Sequence, residues 1–177
     1  MLRSLISVSD KSGLYKLSRF FMMKDIDMYC SGGTYDFLRE PYEQTQLGHK
    51  TIRRIKPVEK ITKFPEVLNG RVKTLNPYIF SGLLADQNNP DHLYDVENFD
   101  IQLFDLLIVN LYPFEDVVNN DPGNHSKIIE NIDIGGHSML RAAAKNYKNV
   151  LSICDPDDYD YITVSYTHLT LPTILLV

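Results

Sequence analysis

The chain has 177 residues, 44% hydrophobic and 23% charged, with 9 Gly and 9 Pro. Those fractions exclude collagen-like, coiled-coil and disordered chains, and they fit one globular domain that can bury about 70% of its unfolded surface. With 18 basic and 23 acidic residues the net charge is −5. That balance argues against nucleic acid as a partner, so a bound anion would need a local cluster of cations and backbone amides.

Leu5-Ile6-Ser7-Val8 reads as a buried strand, and Leu14, Leu17, Phe20 and Phe21 recur at helical spacing, which predicts a helix over 12–24. Residues 26–30 read as a second strand, running into Ser31-Gly32-Gly33-Thr34 and a short helix that should stop before Pro41. Residues 42–50 have no period and read as a loop. A third strand is expected over 51–55, and 56–77, with three prolines, should be extended and irregular. Leu106-Leu107-Ile108-Val109 is apolar on both faces, as a central parallel strand should be. A short Ala-rich helix over 138–147 and a last strand over 150–153 complete an α/β domain, a mostly parallel sheet with helices on both faces.

Residues 164–177 lose all charge and are rich in Thr, Leu and Val. They resemble a translated sequencing adaptor more than natural protein, so the domain is assigned to 1–163 and the tail is set aside as non-native. A genuine terminal strand is the competing reading. Cys30 and Cys154 give neither metal spacing nor a disulfide framework, and Cys30 reads as a packed strand-end thiol. The five histidines are scattered, so no metal site is expected. No apolar run approaches ~18 residues and no leader pattern is present, so no membrane partner and a cytoplasmic location are expected.

In an open α/β sheet, ligands bind outside the carboxyl ends of the strands. Ser9-Asp10-Lys11 and Ser31-Gly32-Gly33-Thr34 both follow strands and open helices, where hydroxyls, glycine backbone and free N–H groups suit an oxyanion. Each alone reads more plainly as a helix cap, and only the two together at one sheet edge bring the ligand reading level with it. Arg71 and Lys73 project to one side if their segment is extended, which suits an anionic partner, although a solvated basic surface is the plainer reading on composition alone. Asn110 ends the central strand, and Tyr112 is either a hydroxyl donor or a core aromatic. Asp133-Ile134-Gly135-Gly136 precedes the Ala-rich helix, on which Ser138, Arg141 and Lys145 share a face. Lys145, if partly buried beside Arg141, suits proton transfer, although a surface lysine is the plainer reading.

Seven segments occur in a telling order: Ser7-Val8-Ser9-Asp10-Lys11-Ser12-Gly13-Leu14, Ser31-Gly32-Gly33-Thr34, Phe64-Pro65-Glu66, Gly70-Arg71-Val72-Lys73-Thr74-Leu75, Asn110-Leu111-Tyr112-Pro113-Phe114, Ile132-Asp133-Ile134-Gly135-Gly136 and Leu140-Arg141-Ala142-Ala143-Ala144-Lys145-Asn146. Together they resemble the N-terminal IMP cyclohydrolase domain of the bifunctional AICAR transformylase/IMP cyclohydrolase family, over about residues 2–161. The resemblance implies a methylglyoxal-synthase-like α/β fold. It also implies closure of a formylated aminoimidazole carboxamide ribotide to inosine monophosphate with loss of water. By the same resemblance Ser9, Lys11, Ser31, Gly33 and Thr34 would hold the 5′-phosphate. Arg71, Lys73, Thr74 and Asn110 would hold the base and its carboxamide, with Asp10, Gly32, Val72 and Ile134 also at substrate-binding positions. Tyr112, Asp133, Lys73 and Lys145 would serve the ring closure, Lys145 as proton donor and acceptor. No cofactor is implied for this step; 10-formyltetrahydrofolate would serve only a transformylase domain that this chain lacks. A homodimer is implied.

The pattern departs at Asn76 and Phe80, where the family has histidines, and over 39–63, which is longer by about ten residues. A methylglyoxal synthase, the allosteric domain of a carbamoyl phosphate synthetase, or a nucleotide-binding module without catalysis are the competing readings.

Overall fold

A computed structural model of the chain describes residues 1–43, 52–65, 67–68 and 71–167. Five parallel strands, β1 (Arg3–Val8), β2 (Asp27–Cys30), β3 (Ile55–Pro57), β4 (Leu106–Asn110) and β5 (Leu151–Ile153), lie in the order β3-β2-β1-β4-β5. β1 is central: Leu5 pairs with Tyr29 on one side and Leu107 on the other. Alternation along the strands divides the core. Ile6, Val8, Met28, Cys30, Ile55, Leu106 and Ile108 face one cluster, packed under helices α1 (Leu14–Met23) and α2 (Gly32–Glu43). Leu5, Tyr29, Leu107 and Val109 face the other. There they meet α3 (Glu59–Thr62), α4 (Pro77–Leu84) and, further along the chain, the Ala-rich helix. Between these lie three helices with no buried residue: α5 (Pro90–Asn98), α6 (Phe114–Asn120) and α7 (His125–Glu130). The Ala-rich helix is α8 (Gly135–Lys145), and α9 (Tyr159–Thr167) follows β5.

Several sequence expectations need correction. α2 does not stop before Pro41. A helical proline leaves the carbonyl four residues back without a donor. Here the Tyr15 hydroxyl donates to the Phe37 carbonyl at 2.7 Å, with the two rings stacked at 4.3 Å, so a side chain from α1 supplies the missing bond. The third strand begins only at Ile55, because Ile52–Arg54 forms a 3₁₀ turn. It is pinned by Asp27, whose carboxylate accepts from Arg54 at 3.1 Å and from Lys56 at 2.5 Å. Burial alone would lower the Lys56 ammonium, but its bond to Asp27 and the neighbouring Tyr29 hold it above the usual lysine range. The expected irregular stretch contains α3, and α4 begins at its end. α8 starts three residues before its expected Ser138. The first part of the charge-free tail is helical, not a strand: Val164 lies exposed in α9, and residues 168–177 fall outside the described part. So does 44–50 of the expected loop, with the length difference it carries.

Candidate functional site

The C-terminal ends of β1, β2 and β4 and the N-termini of α2 and α8 meet around one open cavity of about 470 Å³. That is ample for a nucleotide-sized ligand. Ser7, Ser9 and Lys11 line it from β1 and its following loop, with Ser31, Gly33 and Thr34 from the start of α2. Arg71, Lys73 and Thr74 line it from the segment before α4, and Asn110 and Tyr112 from the end of β4. Asp133 to Gly136 close the remaining wall. Segments as far apart as Ser7 and Gly136 thus converge, and those that follow β1, β2 and β4 do so because they leave the carboxyl edge of one parallel sheet.

One side of the cavity is built from backbone. Ser31 caps α2 through its carbonyl, accepting from Thr34 at 2.9 Å and Tyr35 at 2.8 Å, and its hydroxyl donates to Ser7 at 2.9 Å. The first N–H groups of a helix have no intrahelical partner, so the Gly32-Gly33 turn offers donors there. A Cβ on Gly33 would meet nothing within 4 Å, so the backbone is open to a ligand.

Two predicted ligands are already engaged within the protein. The Thr34 hydroxyl accepts the Val8 N–H at 3.1 Å and gives its one proton to the Val8 carbonyl at 3.3 Å. Asn110 Oδ1 accepts from Ser9 N at 2.6 Å and Asp10 N at 2.9 Å, while Nδ2 donates to the Asp10 carbonyl at 2.8 Å. Asn110 therefore shapes the Ser9–Lys11 loop and keeps one N–H for anything else. Asp10 points away into an Asx turn, accepting from Ser12 N at 2.8 Å, and the Ser12 hydroxyl together with that N–H holds its carboxyl below the usual range. Neither Asp10 nor Gly32 nor Val72 lines the cavity.

Arg71 and Lys73 do share the cavity, but on a turn, not an extended strand: Arg71 N bonds the Leu68 carbonyl at 3.2 Å. Thr74 joins them instead of facing away, because a Cβ on Gly135 would lie 2.3 Å from its Oγ1 and only glycine leaves that room. Gly70 and Glu66 lie outside the described residues. On the opposite wall Asp133 Oδ1 accepts the Gly136 N–H at 2.7 Å, which orients the carboxylate at the start of α8. Tyr112 is half exposed at the rim, so the core-aromatic alternative does not hold.

Lys145 is the exception among the expected catalytic residues. α8 begins at the cavity and runs away from it, so Lys145, its last residue, stands about 15 Å along the axis from Gly135 and is exposed. The expected face of Ser138, Arg141 and Lys145 does not face the cavity. Asn146 beside it is structural, donating to the Leu83 and Ala85 carbonyls at the end of α4. Asn76 and Phe80 also have structural places. Asn76 caps α4 by accepting from Tyr78 N at 2.9 Å, and Phe80 packs on the second core.

Sequence reasoning missed Ile129 and Glu130, which reach the cavity from the end of α7. The only available signal was their position just ahead of Ile132-Asp133. Cys30 is fully buried, and loss of solvent pushes its thiol up, which suits packing and not attack. Among the described residues no His, Cys, Asp and Glu cluster could hold a metal ion, and no helix is long and apolar enough to cross a membrane.

Comparison with known proteins agrees with this architecture. The chain is 43% identical to the bifunctional purine biosynthesis protein PurH of Macrococcus caseolyticus, over 92% of this chain and 31% of that protein. It is 47% identical to PurH of Oenococcus oeni (92% and 30%) and 45% to PurH of Leptospira biflexa (93% and 30%). The chain thus spans about 30% of the length of these curated relatives. The crystal structure of ForH superposes with a TM-score of 0.75 at 28% identity, covering 94% of this chain and 80% of that one. A family model described as the MGS-like domain matches residues 13–138, more than half the sequence. With a parallel sheet and a cavity at its carboxyl edge, the chain belongs to the MGS-like domain family.

Proposed function

We propose that this chain closes the ring of a formylated aminoimidazole carboxamide ribotide to inosine monophosphate, releasing water. The observation that carries this reading is the single cavity that sets Lys11, Arg71 and Lys73 around backbone donors and faces them with Asp133. The identity to PurH proteins supports it. The ribotide phosphate takes the N-terminus of α2 with Ser9, Lys11 and Ser31, and the base lies toward Lys73, Thr74 and Asn110. The carboxamide nitrogen forms a bond to the formyl carbon and gives up one proton, and the formyl oxygen becomes an oxyanion that is protonated to a hydroxyl. The formamido nitrogen then loses its proton to form the ring C=N bond as the C–O bond breaks, and the hydroxyl takes a second proton and leaves as water. Asp133 holds the amide N–H through Oδ2, which accepts no described hydrogen bond, while Lys73 and Tyr112 stabilise and protonate the oxygen. Both reacting groups belong to one molecule, so positioning supplies much of the rate and the step needs no metal or organic cofactor.

One observation favours a second reading, a nucleotide-binding module without catalysis: Lys145 stands outside the cavity of its own chain. In a homodimer of a cytoplasmic enzyme, Lys145 would serve the cavity of the second copy. Absorbance change on adding the formylated ribotide decides between the readings. Turnover supports the enzyme; binding of inosine monophosphate without turnover supports the module.

A further inference from the structure

Glu130 sits where neither of its local settings favours an acid. It ends α7, and a carboxylate at a helix C-terminus opposes the helix dipole. It also lines a cavity whose cations, Lys11, Arg71 and Lys73, are suited to an anion. What it does contact is Arg71, across 59 residues: Arg71 Nε donates to Oε1 at 3.4 Å and Nη2 donates to Oε2. Both side chains are more than half exposed, so the pair by itself adds little to stability.

Its geometry is informative. Glu130 takes the Nε–Nη2 edge of the planar guanidinium. The Nη1 edge makes no bond to any described residue, and Arg71 lines the cavity. A guanidinium has five donors in a rigid fork, so one edge can be held while the other binds a second oxyanion. Resting on the ribotide reading above, we propose that Glu130 is a positioning residue, fixing Arg71 so that its outer edge meets the anionic ribotide. It touches no reacting atom. Its removal should weaken binding by the cost of ordering one long side chain, about 3- to 10-fold.

The test uses the full chain with Glu130→Gln, Glu130→Asp, Arg71→Ala and the double variant Arg71→Ala/Glu130→Gln. Steady-state ring closure and calorimetric titration with inosine monophosphate are the readouts. Glu130→Gln is expected to raise KM and the nucleotide Kd about 3- to 10-fold, with kcat within 2-fold and Tm unchanged. Glu130→Asp should recover part of the loss, and in the Arg71→Ala background Glu130→Gln should cost nothing further. An unchanged or lowered KM and Kd in folded Glu130→Gln overturns the proposal, as does an equal loss in the Arg71→Ala background. A wild-type chain that binds nucleotide but does not close the ring overturns the functional reading alone, since the Kd values still decide Glu130. A wild-type chain that binds no nucleotide overturns both.

Discussion

Thr34 brackets the last residue of the central strand: its hydroxyl accepts the Val8 N–H and donates to the Val8 carbonyl. Both residues are buried, so an isosteric Thr34→Val leaves two backbone groups without a partner. An unsatisfied buried group costs about 1–3 kcal/mol. Thermal denaturation of Thr34→Val should show a Tm lower by roughly 4–24 °C, for two such groups at about 2–4 °C per kcal/mol, with Thr34→Ser recovering most of it. A Tm equal to wild type would mean that the hydroxyl does not hold the strand end.

Asn110→Ala removes three bonds to the Ser9–Asp10 loop while leaving β4 intact. Lys11 and Ser9 would then need ordering by the ligand. KM for the ribotide should rise on the order of 10-fold, with a smaller change in kcat. Initial-rate kinetics at saturating and limiting substrate separate the two.

Lys73→Ala should lower turnover by about 10²–10⁴-fold, the usual range for a lost acid–base group. Lys145→Ala should do the same only if a second copy receives it. Mixing the two inactive variants tests this directly: chains that exchange should recover about a quarter of wild-type activity, since half the dimers then carry one intact site. No recovery, with Lys145→Ala fully active alone, would remove Lys145 from the chemistry.

Tyr159 opens α9 against Gly13, whose φ of +68° and missing Cβ (3.3 Å from the Tyr159 ring) admit the close approach. Burial, with Asp10 and Asp155 nearby, pushes its phenol up from 10.0 to about 12. Since the folded value is raised, this contribution is complete below pH 10. It is lost as pH rises from 10 through 12, where the unfolded chain ionises first. Urea midpoints should therefore fall across that window more steeply in wild type than in Tyr159→Phe. Parallel curves would refute the assignment.

Among the described side chains of α9 the buried residues are Tyr159 and Ile162, and Val164 is 57% exposed. A chain ending at Thr163 should melt within about 2 °C of the 177-residue chain, because surface residues contribute within ~0.5 kcal/mol. A larger loss on calorimetry would show that the tail packs on the domain.

The fold was readable where burial alone decides. Leu106 to Val109 announce a central strand because both faces are apolar, and Leu14 to Phe21 announce a helix because only one stripe is. Pro41 misled because its lost hydrogen bond is replaced by Tyr15, a partner 26 residues away that no local rule can see. α5, α6 and α7 escaped because they are short and bury no residue, so no core-facing stripe marks them. At the site, residue types and order pointed to strand ends that the structure brings together, and most of the named side chains do meet in one cavity. What sequence could not divide was labour among them. Whether Thr34 and Asn110 face a ligand or their own backbone depends on angstrom-scale placement, and whether Lys145 is near depends on the direction of a helix.

The clamp between Asn110 and Ser9 spans 101 residues of chain. A ribosome adding about 5–20 residues per second leaves the first binding loop untethered for roughly 5–20 s before its holder is even made. β1 cannot gain its β4 neighbour any sooner, since that pairing spans the same separation. Parallel pairings at such distance must wait for loop closure and are slow. The nascent chain therefore carries a central strand with one open edge until β4 has been made, and the pocket cannot form before then.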